Sequence, residues 1–233
     1  MFFLPKKFNL HKNDLLVNKH ESMELLRISV PSVSGRLLCN IGYFFEPIIL
    51  TNILLYKGLS SDFIMYEYGI YNAYAIGTLL FPSFFVGAIS NALLPEISKF
   101  NATKNTKMIK KRIKESLILS LIVGMICTAI IFIFKEKILS LLYDTSEGIK
   151  YITYLAPFFI LFYLESPLST ILIALDKVKT CTFISVSGMI IKLIVMTILC
   201  FVNFKMMALL IAEVVNIVYV TLANFISLKK EIY

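Results

Sequence analysis

The chain has 233 residues, 58% of them hydrophobic and only 16% charged, with a mean hydropathy of +0.80. Soluble domains run about 45–50% apolar and about 25% charged, and a globule of this size cannot hide so much apolar surface from water. Soluble enzyme, disordered chain, disulfide scaffold and nucleic-acid-binding domain drop out as classes, and the net charge of +8 belongs to the flanks of membrane segments.

Residues 1–27 begin with Met1-Phe2-Phe3-Leu4, too short for a signal-peptide core and cut off by Pro5-Lys6-Lys7. Lys6, Lys7, Lys12, Lys19 and Arg27 make this segment an amphipathic or flexible lead-in at the membrane surface. Both histidines, His11 and His20, fall in it, which leaves no imidazole for intramembrane chemistry.

Six apolar runs follow, at about 28–56, 66–98, 113–134, 149–175, 178–201 and 206–228, with a tail at 229–233. Each can cross a hydrocarbon layer of about 30 Å. None alternates as barrel strands do, and lipid offers the backbone no partner, so the expected fold is all-α: an integral membrane bundle of six helices. Pro31, Pro47, Pro82, Pro157 and Pro167 predict bends or broken turns. Gly69, Ala73 and Gly77, continued by Gly87 and Asn91, form a small-residue strip of the kind found where helices approach closely. Lys107–Lys114 reads as a basic interfacial helix, and Lys135–Tyr143 as a short amphipathic piece on the opposite surface.

Six crossings place the two ends of the chain on one side. That side then holds sixteen Lys and Arg, at 1–27, 99–114, Lys177, Lys179, Lys229 and Lys230. The other side holds five: Lys57, Lys135, Lys137, Lys150 and Lys205. The positive-inside rule makes the richer side cytoplasmic, with both termini there and anionic lipid headgroups as neighbours.

Five charged residues fall well inside the runs, away from their ends: Arg36, Glu46, Glu165, Lys192 and Glu213. Each costs about 2.5–3.5 kcal/mol near the bilayer centre unless it is paired or wet. At about 1.5 Å per residue, Lys192 and Glu213 lie at similar depth on consecutive antiparallel spans, and Arg36 and Glu165 lie at similar depth near the other end. These are the candidate intramembrane pairs, set against snorkelling for Lys192 and a protonated, hydrogen-bonded carboxyl for each Glu. Arg36, Asn40 and Glu46 share the proline-bent first span and are expected, with Lys192, to line a hydrated substrate path.

No G-x-S-x-G, H-E-x-x-H, Walker loop or D-x-x-D element accompanies a span, so no catalytic residue is assigned. The four cysteines, Cys39, Cys127, Cys181 and Cys200, form no C-x-x-C pair, so no metal site or cofactor is expected either. Bent spans, sparse buried charge and a basic rim suit a transporter that rocks around a gap between bundles.

Several stretches resemble one family. Arg36-Leu37-Leu38 through Phe45-Glu46-Pro47-Ile48-Ile49-Leu50 is similar to the corresponding span of the stage V sporulation protein B group. The match continues through Phe81-Pro82-Ser83-Phe84-Phe85, Asn91-Ala92-Leu93-Leu94-Pro95-Glu96-Ile97-Ser98 and Lys111-Arg112-Ile113-Lys114-Glu115-Ser116. Leu161-Phe162-Tyr163-Leu164-Glu165 and Lys192 complete it. The group belongs to the polysaccharide-transporter branch of the multidrug/oligosaccharidyl-lipid/polysaccharide flippase superfamily.

The resemblance implies a flippase for a lipid-linked oligosaccharide or cell-wall precursor, built of two six-helix lobes around a cavity. It covers roughly residues 24–228 and matches the second, C-terminal lobe, with 1–27 similar to the connector. A first lobe is then separately encoded, replaced by a second copy, or lost from a truncated remnant. Arg36 and Lys192 match cationic positions suited to a pyrophosphate headgroup, whereas Glu165 and Glu213 stand where such proteins can carry uncharged polar residues. Two other functions fit the same spans: a non-transporting membrane scaffold or substrate-capture subunit, and a cation-coupled drug exporter driven through Glu46 or Glu165.

Overall fold

A computed structural model of the chain describes residues 19–232. The surface lead-in expected at 1–27 therefore lies outside the described residues as far as position 18.

Every regular element among the described residues is helical: α1 (Lys19–Tyr56), α2 (Ser61–Gly69), a π-helical segment (Ile70–Ile76), α3 (Gly77–Leu80), α4 (Ser83–Ala102), α5 (Thr106–Tyr143), α6 (Ile149–Ala174), α7 (Val178–Phe201) and α8 (Met207–Ile232). Local chemistry sets several ends. Ser60 accepts the amide hydrogen of Phe63 at the start of α2, and Asn105 accepts that of Met108 at the start of α5. Gly58 and Gly148 supply the positive φ that turns the chain before α2 and α6. Five helices are long and apolar enough to cross a membrane, and the α2–α3 stretch, joined to α4 at a 48° bend, passes the same test together with it, which gives up to six spans. The protein is a multi-pass membrane protein.

The basic run at 107–114 leads without a break into the third span, as the start of α5. The piece at 135–143 is set off from that span by a kink at Phe134 (φ −102, ψ 16), where two helices meet within α5. The differences from expectation have local causes. Of the expected proline bends, Pro82 breaks its span, whereas α1 runs through Pro31 and Pro47 and α6 through Pro157 and Pro167. Pro82 cannot donate to the Thr78 carbonyl, which accepts instead from the Phe81 amide at 3.3 Å. The freed Leu79 carbonyl accepts the Tyr163 hydroxyl at 2.7 Å, so α6 repairs the break.

Helix α6 is the centre of the bundle. It packs on α4, α5 and α8; α8 packs on α7, and α7 on α1. Close approach depends on glycines other than the expected strip. A Cβ at Gly188 would lie 2.5 Å from Val220, and one at Gly124 would lie 2.9 Å from Tyr163. Side chains at Gly35 and Gly42 would collide with Thr182 and Met189, which brings α1 tight against α7. Gly69 and Ala73, by contrast, lie away from the core, and Gly69 has no neighbour. The wider π turn between them and Gly77 shifts register, so a four-residue repeat no longer holds one face.

Two apolar cores result. The larger joins α1, the π segment, the middle of α6 and the start of α8, around Leu50, Leu79, Phe159, Tyr163 and Leu209. The smaller lies at the lysine-rich end around Ile97, Ile113, Ile171 and Leu228. Between them runs a polar layer.

Candidate functional site

The polar layer is assembled from single small polar residues on four helices. Ser166 on α6 donates to Ser90 on α4 at 2.9 Å. Thr221 on α8 donates to the Leu161 carbonyl at 3.2 Å and reaches Glu165 at 3.5 Å. Asn224 donates to Ser169 at 3.4 Å, and Ser187 bonds Tyr219 at 2.9 Å. The oxygens Ser120 Oγ, Thr128 Oγ1, Asn216 Oδ1 and Asn224 Oδ1 are buried without a protein partner. A dry bundle would not retain four such groups, each costing about 1–3 kcal/mol, so the layer is a place where polar matter enters the membrane interior.

The layer opens on two cavities that share Ser169. One, of about 290 Å³, is walled by Ser83 on α4 and by Phe162, Glu165 and Ser166 on α6. The other, of about 350 Å³, lies between α1, α6 and α7, with Arg36, Cys39 and Asn40 facing Thr182 and Ser185. Together they make a cleft between α1 and α4 floored by α6. Arg36 and Asn40 are four residues apart, hence on one helix face, and both are exposed. Arg36 forms no ion pair among the described residues, and its guanidinium stands in the cleft.

A second, closed constellation lies farther along α1. Lys192 Nζ is 2.5 Å from Glu46 Oε2 and 2.5 Å from Glu213 Oε2. Lys192 is 2% exposed, so it does not snorkel; Glu46 is 3% exposed and Glu213 8%. The Tyr43 ring lies 5.1 Å from the same ammonium. Three helices, α1, α7 and α8, each contribute one charge, and a lone charge at this depth would be costly.

The structure thus brings Lys192 and Glu213 together and adds Glu46 to them. Glu46 does not line the cleft beside Arg36. Ten residues of helix turn it roughly 80° away and carry it about 15 Å along the axis. Arg36 and Glu165 share the cleft without meeting. Because α1 begins at Lys19, Arg36 is level with Cys181 and Thr182 near the start of α7, lower than a span beginning at 28 implies. Glu165 lies a turn deeper than Ser169. A common depth for Glu46 and Lys192 was readable, ten residues from the end of α1 and nine from the end of α7; that α1 and α7 are neighbours was not. Tyr43 and the serines of α6 carry no comparable signal, since isolated aromatic and hydroxyl residues recur throughout the spans. Among the described residues no three His, Cys, Asp or Glu side chains converge as metal ligands would.

This geometry can be set beside known proteins. The MatE family signature matches residues 47–198. The chain belongs to the MatE family. The stage V sporulation protein B of Bacillus subtilis (strain 168) is 30% identical over 174 residues, covering 75% of this chain and 34% of that protein. Sporulation protein YkvU of the same organism is 24% identical over 216 residues, covering 92% and 48%. A solved multidrug resistance MATE family transporter of the MOP superfamily, in an outward-facing conformation, superposes with a TM-score of 0.60 at 16% identity. It covers 84% of this chain, which covers 42% of that transporter. The fold is that of a MATE transporter lobe, and this MatE chain spans a third to a half of the length of the proteins it matches.

Proposed function

We propose that this chain is one lobe of a flippase that moves a lipid-linked oligosaccharide or cell-wall precursor across the cytoplasmic membrane. Both termini lie in the cytoplasm, and a separately encoded lobe or a second copy closes the far side of the cleft. The observation that carries this reading is Arg36, an exposed guanidinium with no ion pair among the described residues, at the mouth of a polar cleft in an otherwise apolar bundle. A guanidinium presents a fork that matches phosphate oxygens, and the hydroxyls of Ser169, Thr182 and Ser185 suit sugar or phosphate groups. A polyprenyl tail needs no such path and stays in lipid. Family membership supports transport, and the names of the two Bacillus subtilis relatives support a role in sporulation.

The test is reconstitution of the chain, alone and with a candidate first lobe, followed by a flipping assay on a lipid-linked glycan. The expected result is flipping only in the two-lobed assembly, reduced at least tenfold by Arg36→Ala with insertion unchanged. Full activity in Arg36→Ala would overturn the role given to the cleft.

A second reading, a cation-coupled drug exporter, is supported by the fold shared with a multidrug resistance transporter and by Glu165, whose carboxylate faces the cleft with Thr221 beside it. Glu46 serves that reading poorly because Lys192 already occupies its carboxylate. Proton- or sodium-dependent drug efflux abolished by Glu165→Gln would favour the exporter over the flippase.

A further inference from the structure

At the lysine-rich end, a groove of about 670 Å³ separates the first turns of α5 from the last turns of α8. Helix α6 packs on both helices and holds them apart. On α5, Lys107, Lys110, Lys111 and Lys114 recur at helical spacing, so they form one stripe, and Leu117 continues it toward the membrane interior. On α8, Phe225, Leu228, Lys229 and Ile232 form the facing stripe by the same spacing. The α5 stripe changes from charged to apolar toward the bundle's mid-height, and on α8 the one charge, Lys229, lies nearer the helix end than Leu228 and Phe225.

Among the described residues, the glutamates of this end are already engaged. Glu96 and Glu115 hold Arg112 at 3.0 and 2.9 Å, and Glu231 holds Lys177 at 2.9 Å. Lys111 reaches Glu115 only at 3.9 Å, and neither Lys114 nor Lys229 has a carboxylate within 4 Å among the described residues. The groove is therefore positive at its rim and apolar along its length. That is the complement of one amphiphile with an anionic head and hydrocarbon chains.

We propose that this groove binds a single anionic diacyl phospholipid of the surrounding membrane, its phosphate among Lys110, Lys111, Lys114 and Lys229 and one acyl chain along Leu117 and Phe225. The site lies on the outside of the bundle, on α5 and α8, away from the cleft lined by Arg36. Its occupancy steadies two helices that both pack on α6.

Native mass spectrometry of the full chain, with phosphatidylglycerol or phosphatidylcholine added to the micelle, tests the site. The wild type should take up one phosphatidylglycerol in preference to phosphatidylcholine. At roughly fivefold per surface lysine, K114Q/K229Q should weaken the first phosphatidylglycerol by about 25-fold and leave phosphatidylcholine unchanged. K114R/K229R should retain the preference. K99Q/K104Q removes equal charge from the same end of the bundle but outside the groove, and should stay within about twofold of wild type. I118W, at an exposed position in the groove, should weaken the diacyl lipid and leave glycerol 1-phosphate binding as it was. Should K114Q/K229Q fail to insert, K229Q alone carries the test, with a fivefold loss expected. Equal losses in K114Q/K229Q and K99Q/K104Q would reduce the effect to diffuse surface potential and overturn the site. So would an I118W protein that binds phosphatidylglycerol as wild type does.

Discussion

The seam between α1 and α7 is closed in one half and open in the other. Toward Tyr56 and Phe201, Lys192 is clamped between Glu46 and Glu213, and Gly42 sits against Met189. Toward Lys19 and Val178 the same two helices part around Arg36, Asn40 and Ser185. Both halves hold charge within a membrane span, but they handle it differently. The closed half neutralises its cation with protein carboxylates, and the open half leaves its cation in a polar cleft for something else to meet. The first arrangement builds a lobe; the second gives it something to do.

Lys192→Met should break the closed half most severely. It leaves Glu46 and Glu213 facing each other without a counter-charge and should cost about 3–5 kcal/mol, read as unfolding followed by circular dichroism in detergent. Adding Glu46→Gln and Glu213→Gln to that variant should recover most of the loss, because the cost comes from uncompensated charge rather than from shape. Gly188→Val comes next. Its side chain would drive into Val220 and Asn216 and should cost about 1–3 kcal/mol in the same measurement. Tyr163→Phe removes the hydrogen bond that covers the Leu79 carbonyl and should cost about 1 kcal/mol, seen as faster protease cleavage near Pro82. Arg36→Ala should shift stability by no more than about 0.5 kcal/mol while abolishing flipping, which sharpens the contrast from the other side. A strongly destabilised Arg36→Ala protein would make the open half structural too.

Hydropathy made the helix count legible because lipid penalises any unsatisfied backbone, so apolar length translates directly into spans. Where α5 and α1 begin and end was less legible. A helix can run past the hydrocarbon boundary into water, and the lysines of 107–114 mark that boundary without stopping the helix. Proline was a weak guide for the same reason: Pro157 and Pro167 lie inside a helix packed on three sides, whereas Pro82 lies where α6 offers a hydroxyl to the freed carbonyl. In the site, Lys192 and Glu213 stand on consecutive, antiparallel helices, so depth alone suggests their meeting. Glu46 is on a distant helix whose neighbour, α7, is set by the bundle's packing order, and no span-by-span reading contains that order. The polar layer is still less legible, since Ser90, Ser166, Ser169, Thr221 and Asn224 look like ordinary span residues until three helices stack them at one height.

The most direct test of an open half beside a closed one is thiol labelling in intact membranes. In a background with Cys39, Cys127, Cys181 and Cys200 replaced by serine, single cysteines are placed at Asn40, Ser169 and Met196 and exposed to a water-soluble maleimide. N40C and S169C should label readily, and M196C, in the packed core beyond Lys192, should not. Labelling of M196C with S169C left inert would mean that water enters the bundle from the wrong half, and the cleft would no longer be its path.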